Sequence, residues 1–271
     1  MKKGKGPAYK KAFGLIVAWM KAYPVKTNKW GPFFEDIDGW SDTQINAVTF
    51  ADFMMDHQDL FPNWRTEVEG IFAWVHDKLA NRTWEKYGVV AINEQTAYRV
   101  PGNSHSARQA ASELRFAELT GDTRRKAENI RRLSWATYMV DVDGKNRYLQ
   151  DDVWMTDGYG DFVRHYLRAM AAAPELVPAD QNHILRSSGV VSRVVYQQKQ
   201  VKYRVFETPS RELIHLTSKP KSVSAGEGKD VVLTETTEGE GWTWQALGGS
   251  TKHGLLHVRH DTKENVTIEM Q

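Results

Sequence analysis

Hydrophobic residues recur every three or four positions through the first two-thirds of the chain, which is the spacing of an amphipathic helix. The clearest stripe follows Asn63, and another follows the turn at Gly39–Asp42. The turn Thr120–Asp122 separates two further stripes and predicts an antiparallel helical hairpin in which Asp122 caps the second helix. Six helices are therefore predicted, with their apolar positions within Tyr9–Met20, Gln44–Met55, Trp64–Leu79, Ala107–Ala117, Ala127–Val140 and Tyr159–Met170.

Three long connections between these helices are predicted to be functional. They are Tyr23–Ser41, Ala80–Ser104 and Asp141–Gly158. Loops longer than about 12–15 residues are usually functional or disordered, and tryptophans among Asp, Glu and Asn argue against disorder. If the helices pack as successive hairpins, these loops emerge at one end and form a cleft there.

The hydrophobic pattern changes near Ser187, where short β-branched and aromatic segments alternate with Gly, Pro, Ser and Lys turns. This spacing predicts an antiparallel β-sandwich. We place the boundary around Asp180–Ser188, with domains at residues 1–184 and 188–271. Seven strands are predicted: Val190–Tyr196, Val201–Phe206, Glu212–Thr217, Asp230–Thr236, Trp242–Ala246, Gly254–Arg259 and Asn265–Glu269.

Composition and charge narrow the function classes. The chain has 41% hydrophobic and 26% charged residues, which is typical of a globular protein, and its net charge of +2 argues against nucleic acid as a partner. The absence of cysteine excludes disulfides and thiolate metal sites. No stretch reaches about 18 apolar residues, so no membrane partner is expected. No signal peptide is visible. A periplasmic or secreted location is expected if a leader was removed, and a cytoplasmic one otherwise.

In its order of elements, the chain resembles the bacterial polysaccharide-processing enzymes, hydrolases and lyases alike, built from an (α/α) toroid followed by a β-sandwich. The hairpin SARQAASELRFAELTGDTRRKAENIRRLSWA, the segment DDVWMTDGYGDFVRHYLRAM and the trailing strands carry this resemblance. It implies an α+β multidomain fold with a toroid-like helical domain, an incomplete ring of about six helices. It also implies a poly- or oligosaccharide substrate, no cofactor, and a homodimer as one way to complete the ring.

Two of the long loops bring acids next to aromatic residues. Glycoside hydrolysis needs one protonated and one ionised carboxyl group, about 5–10 Å apart. In Glu35–Asp42 and Gln150–Asp161 the alternative is that some acids only cap the next helix, with Asp42 or Ser41 in the first loop and Asp157 or Thr156 in the second. The candidates for acid–base catalysis are Asp36, Asp42, Asp152 and Asp157, and those for holding the sugar are Trp40, Trp154 and Tyr159.

The segment Asn93–Gln109 is the third candidate wall of the cleft, because amide, acid, phenol, guanidinium and imidazole groups follow one another in it. Glu94 could serve hydrolysis as an acid or base. Elimination from a uronate would instead use a Tyr or His to abstract a proton and a cation or amide to neutralise the carboxylate. The structural alternative is that Ser104 caps the helix and His105 lies in its first turn. The residues that suit elimination are Tyr98, Arg99, Asn103 and His105.

Hydrolysis is preferred at this point, because carboxylates outnumber cations in the loops. Elimination is the second interpretation, and a non-catalytic glycan-binding or scaffold protein is the third. No metal site is expected: Asp141–Asn146 lacks the full ligand set of a calcium loop, and His253, His257 and His260 do not share one strand face. These histidines are predicted at the sandwich surface, and the pair Trp242 and Trp244 in a core.

Overall fold

A computed structural model of the chain describes residues 6–32, 39–137, 159–226, 230–249 and 252–270, with only the backbone described at residues 159–162. The chain divides into two compact units, residues 1–172 and 173–271. Helices dominate the first unit and antiparallel strands the second, so the protein is of the mixed α+β class. Across the described residues, no helix combines the length and the apolar character that crossing a membrane requires.

All six predicted helices are confirmed in the first unit. A π-helical turn, Lys21–Val25, continues the first of them, and the fourth begins four residues before its first predicted apolar position. The helices are α1 (Pro7–Met20), α2 (Gln44–Asp56), α3 (Trp64–Lys78), α4 (Asn103–Thr120), α5 (Thr123–Thr137) and α6 (Tyr159–Ala172).

The hairpin between α4 and α5 follows the predicted turn chemistry. Gly121 adopts φ 76°, a left-handed conformation that suits glycine at a helix C-terminus. Asp122 then accepts a hydrogen bond from the Arg125 backbone N–H at 2.9 Å, as predicted for the cap of α5. The cap predicted for α2 is wrong, because Thr43, not Ser41 or Asp42, accepts the Ile45 N–H.

Helix α4 is the centre of the first unit. It packs against α2, α5 and α6, and its residues from Asn103 to Leu114 are buried without a break. The sequence pattern predicted one buried face of alanines and Leu114, whereas the polar faces are buried too. A helix that has neighbours on several sides must pair its polar side chains inside the protein, because an unpaired buried polar group costs free energy.

The long loop between α3 and α4 is more ordered than its sequence predicts. It contains the antiparallel strands β1 (Ala80–Asn81) and β2 (Ala91–Ile92) and a 3₁₀ turn at Glu85–Tyr87. Ile92 also joins the main hydrophobic core of this unit, which α2 and α3 dominate. The C-terminal part of this loop, just before α4, is therefore packed into the hydrophobic core.

The second unit contains two antiparallel sheets. One has the strand order β3-β6-β10-β9 and the other β4-β5-β11-β7-β8. Buried side chains from both sheets belong to a single hydrophobic cluster. The strands are β3 (His183–Ser187), β4 (Val191–Tyr196), β5 (Gln200–Val205), β6 (Ser210–Leu216), β7 (Pro220–Ala225), β8 (Val231–Leu233), β9 (Gly241–Ala246), β10 (Gly254–His260) and β11 (Asn265–Met270).

The seven predicted strands are confirmed, and β3 and β7 were missed. Every residue of β3 is half-buried, so it shows no alternation, and it occupies most of the predicted boundary segment. Strand β7 begins with Pro220 and is rich in Ser, which the pattern did not identify as a strand. Trp242 is buried in the cluster and Trp244 packs against it, as predicted. The surface prediction for His260 is wrong, because this residue is fully buried.

Candidate functional site

A buried polar stripe runs along one face of α4. His105, Gln109 and Glu113 are spaced four residues apart, so they follow one another along the helix. The Gln44 side-chain amide donates to the His105 carbonyl at 3.3 Å and to the Gln109 side-chain oxygen at 3.2 Å. Gln109 in turn donates to Glu113 at 2.9 Å. The stripe is therefore one connected network between α2 and α4.

The Glu113 end of this stripe is fully paired. One carboxylate oxygen of Glu113 accepts from His76 at 2.7 Å and Arg132 at 3.1 Å, besides Gln109. The other accepts from Asn129 at 3.1 Å and Arg125 at 3.3 Å. Burial by itself would raise the pKa of Glu113, but Arg132 and His76 hold it well below the ordinary value. This end is an ion-pair network that joins α3, α4 and α5.

The opposite end of the stripe, at the N-terminus of α4, is less well paired. Asn103 and His105 are only 2% and 8% exposed. Yet within the described residues the Asn103 Nδ2 and the His105 Nδ1 have no hydrogen-bond partner. Ser104 lies inside the helix, so its predicted role as the cap is wrong. Buried polar atoms are nearly always paired, so these two nitrogens make the N-terminus of α4 our candidate site.

Glu94 faces the second nitrogen of this histidine. Its carboxylate oxygen lies 3.7 Å from His105 Nε2, which is longer than a hydrogen bond. Burial, reinforced by the Arg108 charge, lowers the pKa of His105 to about 3. His105 is therefore a neutral imidazole near pH 7, and its contact with Glu94 is not an ion pair.

A second histidine lies close to the same helix. The Arg108 Nε donates to the His165 Nε2 at 3.1 Å, which fixes the hydrogen of neutral His165 on Nδ1. Burial and the charges of Arg108, Arg164 and Arg168 lower the pKa of His165 to about 2, and Arg108 also lowers the pKa of His105. The three residues Arg108, His105 and His165 therefore form one electrostatically linked group on α4 and α6.

Backbone hydrogen bonds position Glu94 beside this group. Its N–H donates to the Val100 carbonyl at 3.2 Å, and its own carbonyl accepts from the Gln44 N–H at 3.1 Å. The Thr43 hydroxyl donates to the same carbonyl at 3.2 Å. The segments around residues 42 and 95, which belong to two of the predicted loop clusters, are thus paired directly with each other.

The remaining predicted site residues have varied surroundings. The Asp42 carboxylate accepts the Trp30 backbone N–H at 2.5 Å, which is a structural bond. Trp40 is exposed, Tyr98 is half-buried, and exposed Arg99 donates to the Thr96 carbonyl at 3.3 Å. Tyr159 begins α6, but its side chain is not described. Four further candidates lie outside the described residues, namely Asp36, Asp152, Trp154 and Asp157.

Sequence reasoning missed His165 and the roles of Gln44 and Arg108. The spacing of Arg108 after His105 was visible, but nothing in the sequence connects it with a histidine 57 positions later. No protein-family model and no curated protein matches the chain. The chemistry of these residues is therefore inferred from their geometry.

Proposed function

We propose that this protein catalyses β-elimination in a uronate-containing polysaccharide, with His105 as the general base and Asn103 as the donor to the uronate carboxylate. The observation that carries the proposal is the pair of open nitrogens, Asn103 Nδ2 and His105 Nδ1, on the first turn of α4. The proposal takes the first unit as a toroid-like domain and the second as a β-sandwich, as the resemblance in sequence implies.

The environment of His105 suits a base. A base must be unprotonated, and a pKa of about 3 keeps the imidazole neutral at physiological pH. The Glu94 carboxylate beside Nε2 favours the tautomer with hydrogen on that nitrogen, which leaves the Nδ1 lone pair available. A bound uronate adds negative charge and so raises the pKa of His105 towards the range in which it accepts a proton effectively.

Asn103 suits the neutralisation of a carboxylate. Its amide nitrogen can donate to an oxygen anion without carrying a charge of its own. It also lies at the N-terminus of an 18-residue helix, where the backbone dipole favours negative charge. Neutralising the carboxylate makes the adjacent C5–H bond more acidic, and that is the bond that elimination breaks.

The proposed step is balanced in atoms and electrons. The C5 proton moves to His105 Nδ1, and its electron pair forms the C4=C5 double bond. The C4–O4 bond breaks, and its electrons stay on O4, which takes a proton from water. The imidazolium then returns its proton to solvent, so that the products are an unsaturated uronate end and a new hydroxyl end.

Glycoside hydrolysis is the second candidate, and Glu94 next to a histidine is the observation that favours it. It would need a second carboxyl group about 5–10 Å away. Asp42 is bound to the backbone of Trp30, and the other acid candidates lie outside the described residues. Among the described residues, Asn103 and His105 favour elimination, whereas the loop composition favoured hydrolysis.

Incubation of the full chain with a panel of uronate polymers tests the proposal. We expect near-ultraviolet absorbance from the new double bond, and a loss of about 10²–10⁴-fold in rate for His105→Gln. His57→Gln, an exposed histidine of the same unit, is the matched control and should keep the wild-type rate. New reducing ends without absorbance, or full activity in His105→Gln, would contradict the proposal.

Comparison of free and methyl-esterified uronates tests the role of Asn103. An ester has no carboxylate charge to neutralise, so Asn103→Ala should slow elimination by about 10²-fold on the free acid and much less on the ester. An equal loss on both substrates would mean that Asn103 acts only by holding the helix in place. A thermal unfolding curve shows whether this variant is folded.

A further inference from the structure

Helix α1 lies on the surface although its sequence is strongly apolar. None of its residues is buried, and Leu15, Ile16 and Trp19 are 63%, 61% and 57% exposed. Single exposed apolar residues are ordinary, but a contiguous exposed patch usually marks an interaction surface. The site around His105 makes no use of this helix.

The exposed residues share one face. With 3.6 residues per turn, Ala12, Leu15, Ile16 and Trp19 fall within about 100° of arc. The half-buried Phe13, Val17 and Met20 lie on the adjacent side of the helix, centred about 120° from the exposed face, and the last two pack against the hydrophobic core. The exposed apolar residues of α1 are therefore different from the ones by which this helix packs against the core.

An apolar groove adjoins this face. It has a volume of about 520 Å³ and is lined by side chains of both α1 and α2, including Ile16, Trp19 and Phe53. Lys29 also lines it. A groove of this composition can accept hydrocarbon while it places a positive charge beside the polar end of the ligand.

The charged side chains in and around α1 are all positive. Residues 1–34 contain eight lysines and no aspartate, glutamate or arginine. Because the whole chain has 36 basic and 34 acidic residues, the rest of the chain has 28 basic against 34 acidic ones. Lys10, Lys11, Lys26 and Lys29 are exposed in the structure. When α1 is viewed along its axis, Lys11 borders the apolar face about 40° beyond Leu15, whereas Lys10 lies almost opposite the centre of that face.

We propose that α1 binds the surface of an anionic phospholipid bilayer. The helix lies in the plane of the membrane, with Leu15, Ile16 and Trp19 at the boundary of the acyl chains and the lysines among the head groups. Exposed apolar residues on one side and flanking lysines are typical of such interfacial helices. This mode of binding does not require a helix that crosses the bilayer.

The charge argues against two other occupants. A second copy packed through the same face would bring two lysine-rich segments together without any acid to pair with them. Nucleic acid would pair with the lysines but would leave Leu15, Ile16 and Trp19 in contact with water. A bilayer accepts both groups, because it offers hydrocarbon beneath a negative surface.

Co-sedimentation of the full chain with lipid vesicles tests this proposal. We expect binding to vesicles of phosphatidylcholine with phosphatidylglycerol, little binding to phosphatidylcholine alone, and weaker binding as salt is raised. Leu15→Glu with Trp19→Glu, or Lys10→Glu with Lys11→Glu, should each reduce the partition coefficient by about tenfold or more. All the replaced side chains are exposed, so the variants should keep the wild-type melting temperature.

Matched controls come from the second unit. Val231→Glu with Val232→Glu, and Lys202→Glu with Lys221→Glu, replace exposed residues of the same types and should leave vesicle binding unchanged. The proposal is overturned if anionic vesicles do not bind the chain, or if the controls lose binding as the α1 variants do. A concentration-dependent dimer that Leu15→Glu with Trp19→Glu abolishes, without vesicle binding, would assign the face to a second copy.

Discussion

Each unit of this protein has a buried polar network, and the two differ in how completely they are paired. At the N-terminus of α4, Asn103 and His105 have open nitrogens within the described residues. In the second unit, every oxygen and nitrogen of the Glu212–His260 pair has a partner. Burial is common to both networks, and they differ in the pairing of their buried side-chain atoms.

The contacts of Glu212 show what complete pairing means. One oxygen accepts from the Tyr203 hydroxyl at 2.8 Å and from His260 Nε2 at 2.8 Å. The other accepts from the Ser187 hydroxyl at 3.0 Å and from the Ser210 hydroxyl. The second nitrogen of His260 donates to the Lys263 carbonyl at 2.6 Å. Since both partners of His260 are acceptors, this histidine is a buried imidazolium.

The charge states of the two histidines follow from these partners. Burial would lower the pKa of His260, but Glu212 raises it above the ordinary value of 6.5. His105 has burial and a cation beside it, so its pKa falls to about 3. The first arrangement stabilises the fold. The second keeps His105 a neutral imidazole, as the proposed elimination requires.

Removing the carboxylate of the paired network should have the largest effect on stability. Glu212→Leu leaves the His260 imidazolium buried without its counter-ion, and we expect a loss of about 3–5 kcal/mol in the free energy of unfolding. Urea denaturation measures it. Tyr203→Phe removes only one of four donors and should cost about 1 kcal/mol. A loss of stability well below this range in Glu212→Leu would show that the network contributes little to the stability of the fold.

The response to pH should separate the two networks next. For His260 the folded pKa is raised, so its contribution is complete below pH 6.5 and is lost as pH rises through the folded value. For His105 the folded pKa is lowered, so the unfolded state binds more protons and stability falls as pH drops from 6.5 towards 3.

Urea midpoints measured from about pH 5 to 9 check both signs. His105→Gln should reduce the loss of stability on the acid side, and His260→Gln should remove the loss on the alkaline side. At lower pH Glu212 adds a further loss, because its folded pKa lies below the ordinary 4.5 despite burial. If both substitutions reduced the pH dependence of the urea midpoint on the same side, acid or alkaline, the two histidines would not have the opposite charge states that we assign to them.

The smallest effect on stability is expected at the open end of α4. His105→Leu removes a buried polar group that has an open nitrogen, so we expect a change within about 1 kcal/mol, in either direction, in the free energy of unfolding. Gln109→Leu is the control on the same stripe. It removes a donor from Glu113, so it should destabilise by about 1–3 kcal/mol. Equal losses in both variants would remove the distinction between the paired and open ends.

Much of the fold could be predicted from the sequence, because periodicity reports which face of an element is buried. It identified six helices and seven of the nine strands of the second unit, and Asp122 was correctly assigned as a cap. Strand β3 shows no alternation, and β7 begins with Pro220 and is rich in Ser, so the same reasoning did not find them. Helix α4 showed an apolar stripe, but its complete burial depends on the neighbours that surround it.

For the site, the sequence by itself determined which segment to consider: Asn93–Gln109 stood out because it concentrates groups that can do chemistry. Only the tertiary structure decided which members act together. It bound the Asp42 carboxylate to a backbone N–H, placed Glu94 beside His105, and brought His165 to Arg108. The physical reason is that pairing and burial set the charge and hydrogen-bonding capacity of a polar group, and both depend on residues far away in the chain.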